Sequence, residues 1–356
     1  MCPSITTVRF YESKDGTGDF EGAVADLHMR VNVLLSNNLW LAGRLVSSDD
    51  SVKLSAPLRL SEGGSKAIGC FSEFIRPEFA IRPGMLQQEM RERVLHHGRA
   101  RVCIGRDAVD KDEPLFIVSV VAASRDAMDF AVVISMSHVI ADGSTYGKLL
   151  EMLQPEAFNN GNDHADMKVE PLLQFDRVSE FDEEPAVFPP LGFALTLRKR
   201  FKVNMFLHDK IVRLFKPSPH PRSFEVSQSW IQEQKKLHVP TAEAPFISTS
   251  DIITSWYLSR EKYEVGMMVA DLRNRPDALR EAKVNSSNAG NYIGIMPFKE
   301  DLYSTPAGIR SLLVNNLQSQ YGEEDIPLFW NFIRGPHIGV VTQVRSQYAA
   351  NMFFFF

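Results

Sequence analysis

Residues 115–122 and 130–135 are apolar, rich in β-branched side chains and of strand length, and the polar stretch between them suits a hairpin loop. They predict two buried, neighbouring strands. Residues 144–153 then switch to helical spacing, with Ser144 as a capping candidate and Leu149, Leu150 and Leu153 on the apolar stripe. Strand, strand and helix thus follow in direct succession.

The same grammar recurs along the chain. Val24, Leu27, Val31, Leu34 and Leu35 form one stripe and predict a helix over 23–37. Residues 39–46 then read as the start of a strand after a tight corner. Further helices are predicted over 85–95 and 250–260, the latter capped by Ser250 or Asp251, with strands over 223–226 and 264–270. Between 155 and 190 the composition turns to loop formers, acidic residues and prolines, which marks a crossover. The expected organisation is an N-terminal domain over 1–154, a linker over 155–195 and a second domain over 196–356.

Charge narrows the partners. With 39 Lys and Arg against 44 Asp and Glu, the formal net charge is -5, so nucleic acid is not the expected ligand. Cys2, Cys70 and Cys103 lie far apart, without disulfide-framework or zinc spacing, as suits a reducing compartment. The first ten residues contain no secretory apolar region, and the longest apolar stretch, 115–123, is less than half of the roughly 20 residues that cross a bilayer. A cytoplasmic protein without a membrane span is expected. Met352 and the phenylalanines after it predict a truncated chain or a tail packed on something, since an exposed run of that kind invites aggregation.

One motif carries chemistry: Ser137-His138-Val139-Ile140-Ala141-Asp142-Gly143, an HxxxDG pattern at a strand end. Chance would supply it about 0.03 times in a chain of this composition. A histidine ionises near neutrality, so it can take a proton from a hydroxyl or amine and return it within one cycle. Asp142 is better suited to holding the loop than to touching substrate. Gly143 permits a backbone conformation or close approach that a Cβ would obstruct. A lone histidine at a strand end is most often a hydrogen-bonded structural residue, and here the surroundings reverse that balance.

Those surroundings resemble the CoA-dependent acyltransferase superfamily, and within it the BAHD acyltransferases. Leu41-Ala42-Gly43-Arg44-Leu45 is similar to the family's PLAGRL segment, with Trp40 in place of proline. Ile247-Ser248-Thr249-Ser250-Asp251 resembles the opening of its second domain, Asp271-Leu272-Arg273-Asn274-Arg275 its DxRxR stretch, and Gly290-Asn291 its GN pair. The resemblance spans roughly 23–298. Two departures stand out: the C-terminal DFGWG motif is absent, and Ser137 stands where condensation domains and wax ester synthases carry a second histidine.

The resemblance implies an α/β fold of two chloramphenicol acetyltransferase-like domains, each a mixed β-sheet flanked by helices, with an active-site channel at their interface and an incomplete C-terminal part. It implies acyl transfer from acyl-CoA, used as co-substrate with no bound cofactor or metal, to a small alcohol or amine. His138 would be the general base, Asp142 would pair with Arg273 or Arg275 to fix the loop, and Thr249 and Asn291 would meet the coenzyme. A monomer is expected. Two alternatives stay open: a condensation-type or wax-ester-type enzyme using carrier-bound or long-chain donors, and a non-catalytic relative lacking DFGWG.

Other clusters have plain readings. His96-His97 lies at a charged helix end, and adjacent residues do not share a helix face, so a metal pair is not expected. Residues 107–113 are a charged loop without calcium-binding spacing. Arg198-Lys199-Arg200 with Lys202 reads as a solvated edge, or alternatively as a contact for coenzyme phosphates.

Overall fold

The computed structural model describes residues 4–12, 20–48, 51–60, 64–76, 89, 100–103, 105–124, 129–154, 226–261, 263, 265–271, 273, 286–314, 338–343 and 352–355. The linker expected over 155–195, His96-His97, the basic cluster at 198–202, Arg275, and the helix predicted over 85–95 apart from Glu89 lie outside them. The chain divides into two compact units: Met1–Asp176 with Ser287–Asn291, and Arg177–Ser286 with Tyr292–Phe356.

The first unit is built on a mixed four-stranded sheet. Its strands are β1 (Ser4–Glu12), β4 (Phe71–Ile75), β5 (Phe116–Ala122) and β6 (Asp129–Ser137), in the spatial order β1-β6-β5-β4. The predicted hairpin is the antiparallel β5–β6 pair, while β4 runs parallel to β5. β6 outruns its predicted bounds because β1, which local periodicity does not reveal, pairs with its whole length from Ser4 opposite Ser137 to Glu12 opposite Asp129. Every residue of β5 is buried, as a central strand requires.

Helix α1 (Phe20–Asn37) buries the predicted stripe of Val24, Leu27, Val31, Leu34 and Leu35, and Phe20 extends it at the start. These side chains join Leu115, Phe116, Val118, Met136, Leu149 and Leu150 in one core. At the far end Asn38 donates its side-chain amide to Leu34 O at 3.0 Å, satisfying a terminal carbonyl. The strand expected from residue 39 is delayed: Leu39–Ala42 form a 3-10 turn that buries Trp40 and Leu41, and β2 covers only Arg44–Ser48. Gly43 stands at the junction, where a Cβ would lie 2.7 Å from Leu54 Cδ1 of β3 (Ser51–Ser55).

Arg44 and the acidic loop explain each other. Its guanidinium reaches Asp112 Oδ1 at 2.7 Å, Ile68 O at 2.8 Å and the carbonyls of Ala42 and Gly43. Asp110, the residue with φ of 57°, accepts from the backbone N–H and hydroxyl of Ser47. These two hydrogen bonds hold its carboxyl below the usual range. The charged loop is therefore a brace for the β2–β3 hairpin. Among the described residues, no group of three or more His, Cys, Asp or Glu could hold a metal ion, and no helix is long and apolar enough to cross a membrane.

The second unit also has a mixed sheet. Strands β7 (Val265–Asp271), β8 (Ile293–Phe298), β9 (Ile338–Gln343) and β10 (Met352–Phe355) lie in the order β10-β9-β7-β8. β9 runs parallel to β7 and the other pairings are antiparallel. Met352–Phe355 of the apolar tail thus pair with β9 as the last strand in this order among the described residues. The single-turn α2 (Gly64–Ala67) and α3 (Gly143–Met152), Ser144's helix, belong to the first unit; among the described residues α4 (Gln228–Leu237) and α5 (Thr249–Glu261) precede β7, and the single-turn α6 (Glu300–Tyr303) and α7 (Pro306–Val314) follow β8. Of the strand predicted over 223–226 only Val226 is among the described residues, and it lies just before Ser227, which caps α4 by accepting from Trp230 N. Gly266 brings the layers together, since a Cβ there would lie 2.6 Å from Leu258 Cδ1 and 3.0 Å from Tyr303 Cδ1.

Candidate active site

His138 sits where β6 stops. Ser137 N donates to Leu115 O at 2.8 Å as the last ladder contact, and Ile140 N then closes a turn onto Ser137 O at 3.2 Å. His138 and Val139 occupy the middle of that turn, His138 half-buried and Val139 exposed. Buried Ser137 turns its hydroxyl inward, where it accepts from Val139 N at 3.4 Å. Ser137 is thereby part of the turn itself.

Asp142, rather than Ser144, caps α3. Its Oδ1 accepts from Thr145 N at 2.9 Å and its backbone carbonyl accepts from Tyr146 N at 3.0 Å. The side chain is fully buried, and a carboxylate at a helix N-terminus is also favoured by the helix dipole. Gly143 is the first residue of the helix and does not have positive φ, so the conformational freedom expected of it is not used there. Positive φ falls on Gly290 instead, at 135°.

Replacing Asp142 with Ala should cost about 0.5–2 kcal/mol through loss of the cap, whereas Asn retains the acceptor and should recover most of it. Melting curves of the two variants give the comparison. Equal destabilisation by Ala and Asn would refute the capping role.

Helix α3 is anchored at both ends. Tyr146 donates its hydroxyl to Ile134 O of β6 at 2.7 Å, and full burial pushes its phenol pKa well up. At the other terminus, Arg30 of α1 donates to Leu153 O at 2.6 Å while paired with Asp26 at 2.5 Å. A cation at the negative end of a helix is favoured. Arg30 is a supporting residue that no local motif announces.

The segment Ser287–Asn291 belongs to this unit although it arrives late in sequence. Gly290 O accepts from Asp142 N at 3.1 Å and from Thr145 Oγ1 at 3.2 Å, and Gly290 N donates to Thr145 Oγ1 at 3.2 Å. Asn291 Nδ2 donates to His138 O at 2.9 Å and to Val139 O at 3.1 Å. Gly105 packs on the same turn, and a Cβ there would overlap Val139 Cγ2. Gly105→Ala should therefore displace Val139 and cost about 1–3 kcal/mol as overpacking. An unchanged melting temperature and an unchanged rate in the assay described below would show that the contact does not constrain the turn.

The structure thus gathers His138, Asp142, Gly143 and Asn291 in the first unit. Thr249 and Arg273 belong to the second. Thr249 opens α5, and Ser248 with Asp251 forms a reciprocal cap: Ser248 N donates to Asp251 Oδ2 at 2.7 Å and Asp251 N to Ser248 Oγ at 3.2 Å. Asp251 is therefore the inner member of the cap. Arg273 has a buried side chain that bonds Asp271 Oδ1 at 3.0 Å and stacks over Tyr292, 4.8 Å from the ring centre. A separate groove of about 370 Å³ in this unit is lined by Trp230, Trp256, Arg260 and neighbouring serines, and none of the predicted site residues lines it.

Comparison with solved structures decides the fold. The chain aligns over 94% of its length with 75% of F. graminearum TRI101 complexed with ethyl coenzyme A, at 11% identity and a TM-score of 0.51. The fold is chloramphenicol acetyltransferase-like. F. sporotrichioides TRI101 complexed with coenzyme A and T-2 is also similar, at 13% identity over 89% of this chain and 73% of that one, with a TM-score of 0.49. So is the first condensation domain of the CDA synthetase, at 11% identity over 95% and 82%, with a TM-score of 0.49. No family model and no curated protein sequence matches the chain. In this acetyltransferase-like fold the mixed sheets expected from sequence are present in both units.

Proposed function

We propose that the protein is an acyltransferase that moves an acyl group from acyl-CoA to the hydroxyl or amine of a small molecule, with His138 as general base. The observation that carries this is the pinned turn at the β6–α3 junction. It presents a half-buried imidazole whose backbone is held by Asn291 and whose neighbour Asp142 is committed to the helix cap. The acetyltransferase-like fold shared with a protein solved with ethyl coenzyme A supports the choice of donor.

In this reading His138 takes the proton of the acceptor O–H or N–H as the lone pair attacks the thioester carbonyl. The tetrahedral intermediate collapses, its C–S bond breaks, and the departing CoA thiolate receives the proton from the imidazolium. No acyl-enzyme forms and the histidine ends neutral. Asp142 acts by holding the loop. Ser137, buried and turned into its own turn, stands where the resemblance puts the second histidine of condensation domains, and on that resemblance a free CoA donor is preferred to a carrier-bound one.

The test is release of CoA thiol from a panel of acyl-CoA donors, with and without a pool of small alcohols and amines, against the same acyl groups on a carrier protein. Acceptor-dependent release from free acyl-CoA is expected. Turnover confined to carrier-bound thioesters would replace this reading with a condensation-type one. No turnover of either donor by a cooperatively folded protein would leave a non-catalytic scaffold.

A further inference from the structure

We infer that Asn291 is a positioning residue for His138 and not a coenzyme contact, an inference that rests on the acyl-transfer reading above. Both neighbours of its side chain are carbonyl oxygens, so only the NH₂ end of the amide can meet them. Its two donors are used on the backbone of His138 and Val139. Its Oδ1 is buried and has no hydrogen-bond partner. An amide placed to grip a coenzyme would keep donors for it; this one spends them on the turn.

The backbone behind Asn291 is fixed as well. Gly290, with φ of 135°, adopts a conformation that disfavours any side chain, and three hydrogen bonds tie its N–H and C=O to Asp142 and Thr145. Residues 290 and 291 therefore strap both ends of the interval from His138 to Asp142. The imidazole contributes nothing to this strap, because His138 is held through its carbonyl. Loss of the Asn291 donors should release the turn while leaving helix α3 capped by Asp142. A displacement of about 1 Å at a reacting group can cost on the order of 10²-fold in rate.

The experiment uses the full chain as wild type, Asn291→Leu, Asn291→Asp and His138→Ala. Leu keeps a similar shape without donors, and Asp sets a carboxylate against two carbonyls. Three quantities are measured: kcat and KM for acyl-CoA from acceptor-dependent thiol release, the melting temperature, and the Cε1–H resonance of His138 in ¹³C-histidine-labelled protein, assigned by its disappearance in His138→Ala. The expected result is a fall in kcat of roughly 10- to 100-fold, larger for Asp than for Leu. KM for acyl-CoA should stay within about twofold, and the His138 resonance should be shifted or split.

A raised KM with kcat retained would overturn the inference in favour of a coenzyme contact. A lowered melting temperature with unchanged kcat and an unmoved resonance would reduce Asn291 to a structural role. If wild type transfers no acyl group, the proposed function fails by itself, and the His138 resonance still decides whether Asn291 positions the turn.

Discussion

Truncation of His138 to Ala is expected to lower acceptor-dependent CoA release by about 10²- to 10⁴-fold, the range typical for loss of a general base, without changing the melting temperature. The second half of this expectation follows from the hydrogen bonds. Asn291 grips the carbonyls of His138 and Val139, Ile140 N closes on Ser137 O, and Asp142 caps α3. None of these uses the imidazole. Alanine can therefore occupy the turn with its backbone bonds intact, and lost turnover reports chemistry. A large fall in melting temperature would mean that the ring is itself part of the packing.

The largest expected loss of stability lies in the second unit. Asp251 is fully buried at the start of α5, where its Oδ2 accepts from Ser248 N and from Arg310 of α7, at 2.8 Å from Nε and 2.5 Å from Nη2. Arg310 also stacks over Phe246, 4.5 Å from the ring centre. Arg310→Ala leaves a buried carboxylate without its counter-charge, a change that costs about 3–5 kcal/mol. At roughly 2–4 °C per kcal/mol for a unit of this size, melting should fall by about 6–20 °C. Arg310→Lys, which keeps the charge but not the two-pronged geometry, should fall between Ala and wild type. A melting temperature within a degree of wild type for Arg310→Ala would show that the pair contributes nothing net.

The parts of this protein that were legible in its sequence are those with strong local patterns. Residues of α1 and α3 announce themselves by an apolar stripe at helical spacing, and those of β5 and β6 by near-continuous apolar runs of strand length. β1 escaped because Ser4–Glu12 is an edge strand of mixed polarity, recognisable only through its pairing with β6. α4 escaped because Ile231 is its one buried side chain among the described residues, too little for a stripe. At the helix start, Asp142 and Ser144 are both good capping residues, and choosing between them needs the geometry of the turn.

The candidate site shows the same division. The placement of His138 between strand and helix could be read from one motif. The strap formed by Gly290 and Asn291 could not, because Asn291 lies 153 residues from His138 in sequence and no periodic signal links them. Positive φ occurs at Gly290 and not at Gly143, since a helix N-terminus asks nothing unusual of its first residue. Gly105 is likewise visible only through what its missing Cβ admits, the side chain of Val139.

In the proposed reaction a single histidine at the β6–α3 turn drives transfer from acyl-CoA to an acceptor. Free CoA and acylated acceptor can be followed together, by thiol titration and mass spectrometry, in wild type and His138→Ala under identical conditions. Equimolar appearance of the two products is expected in wild type, dependent on acceptor, with near-complete loss of both in the variant. Equal rates in the two proteins would rule out His138 as the base.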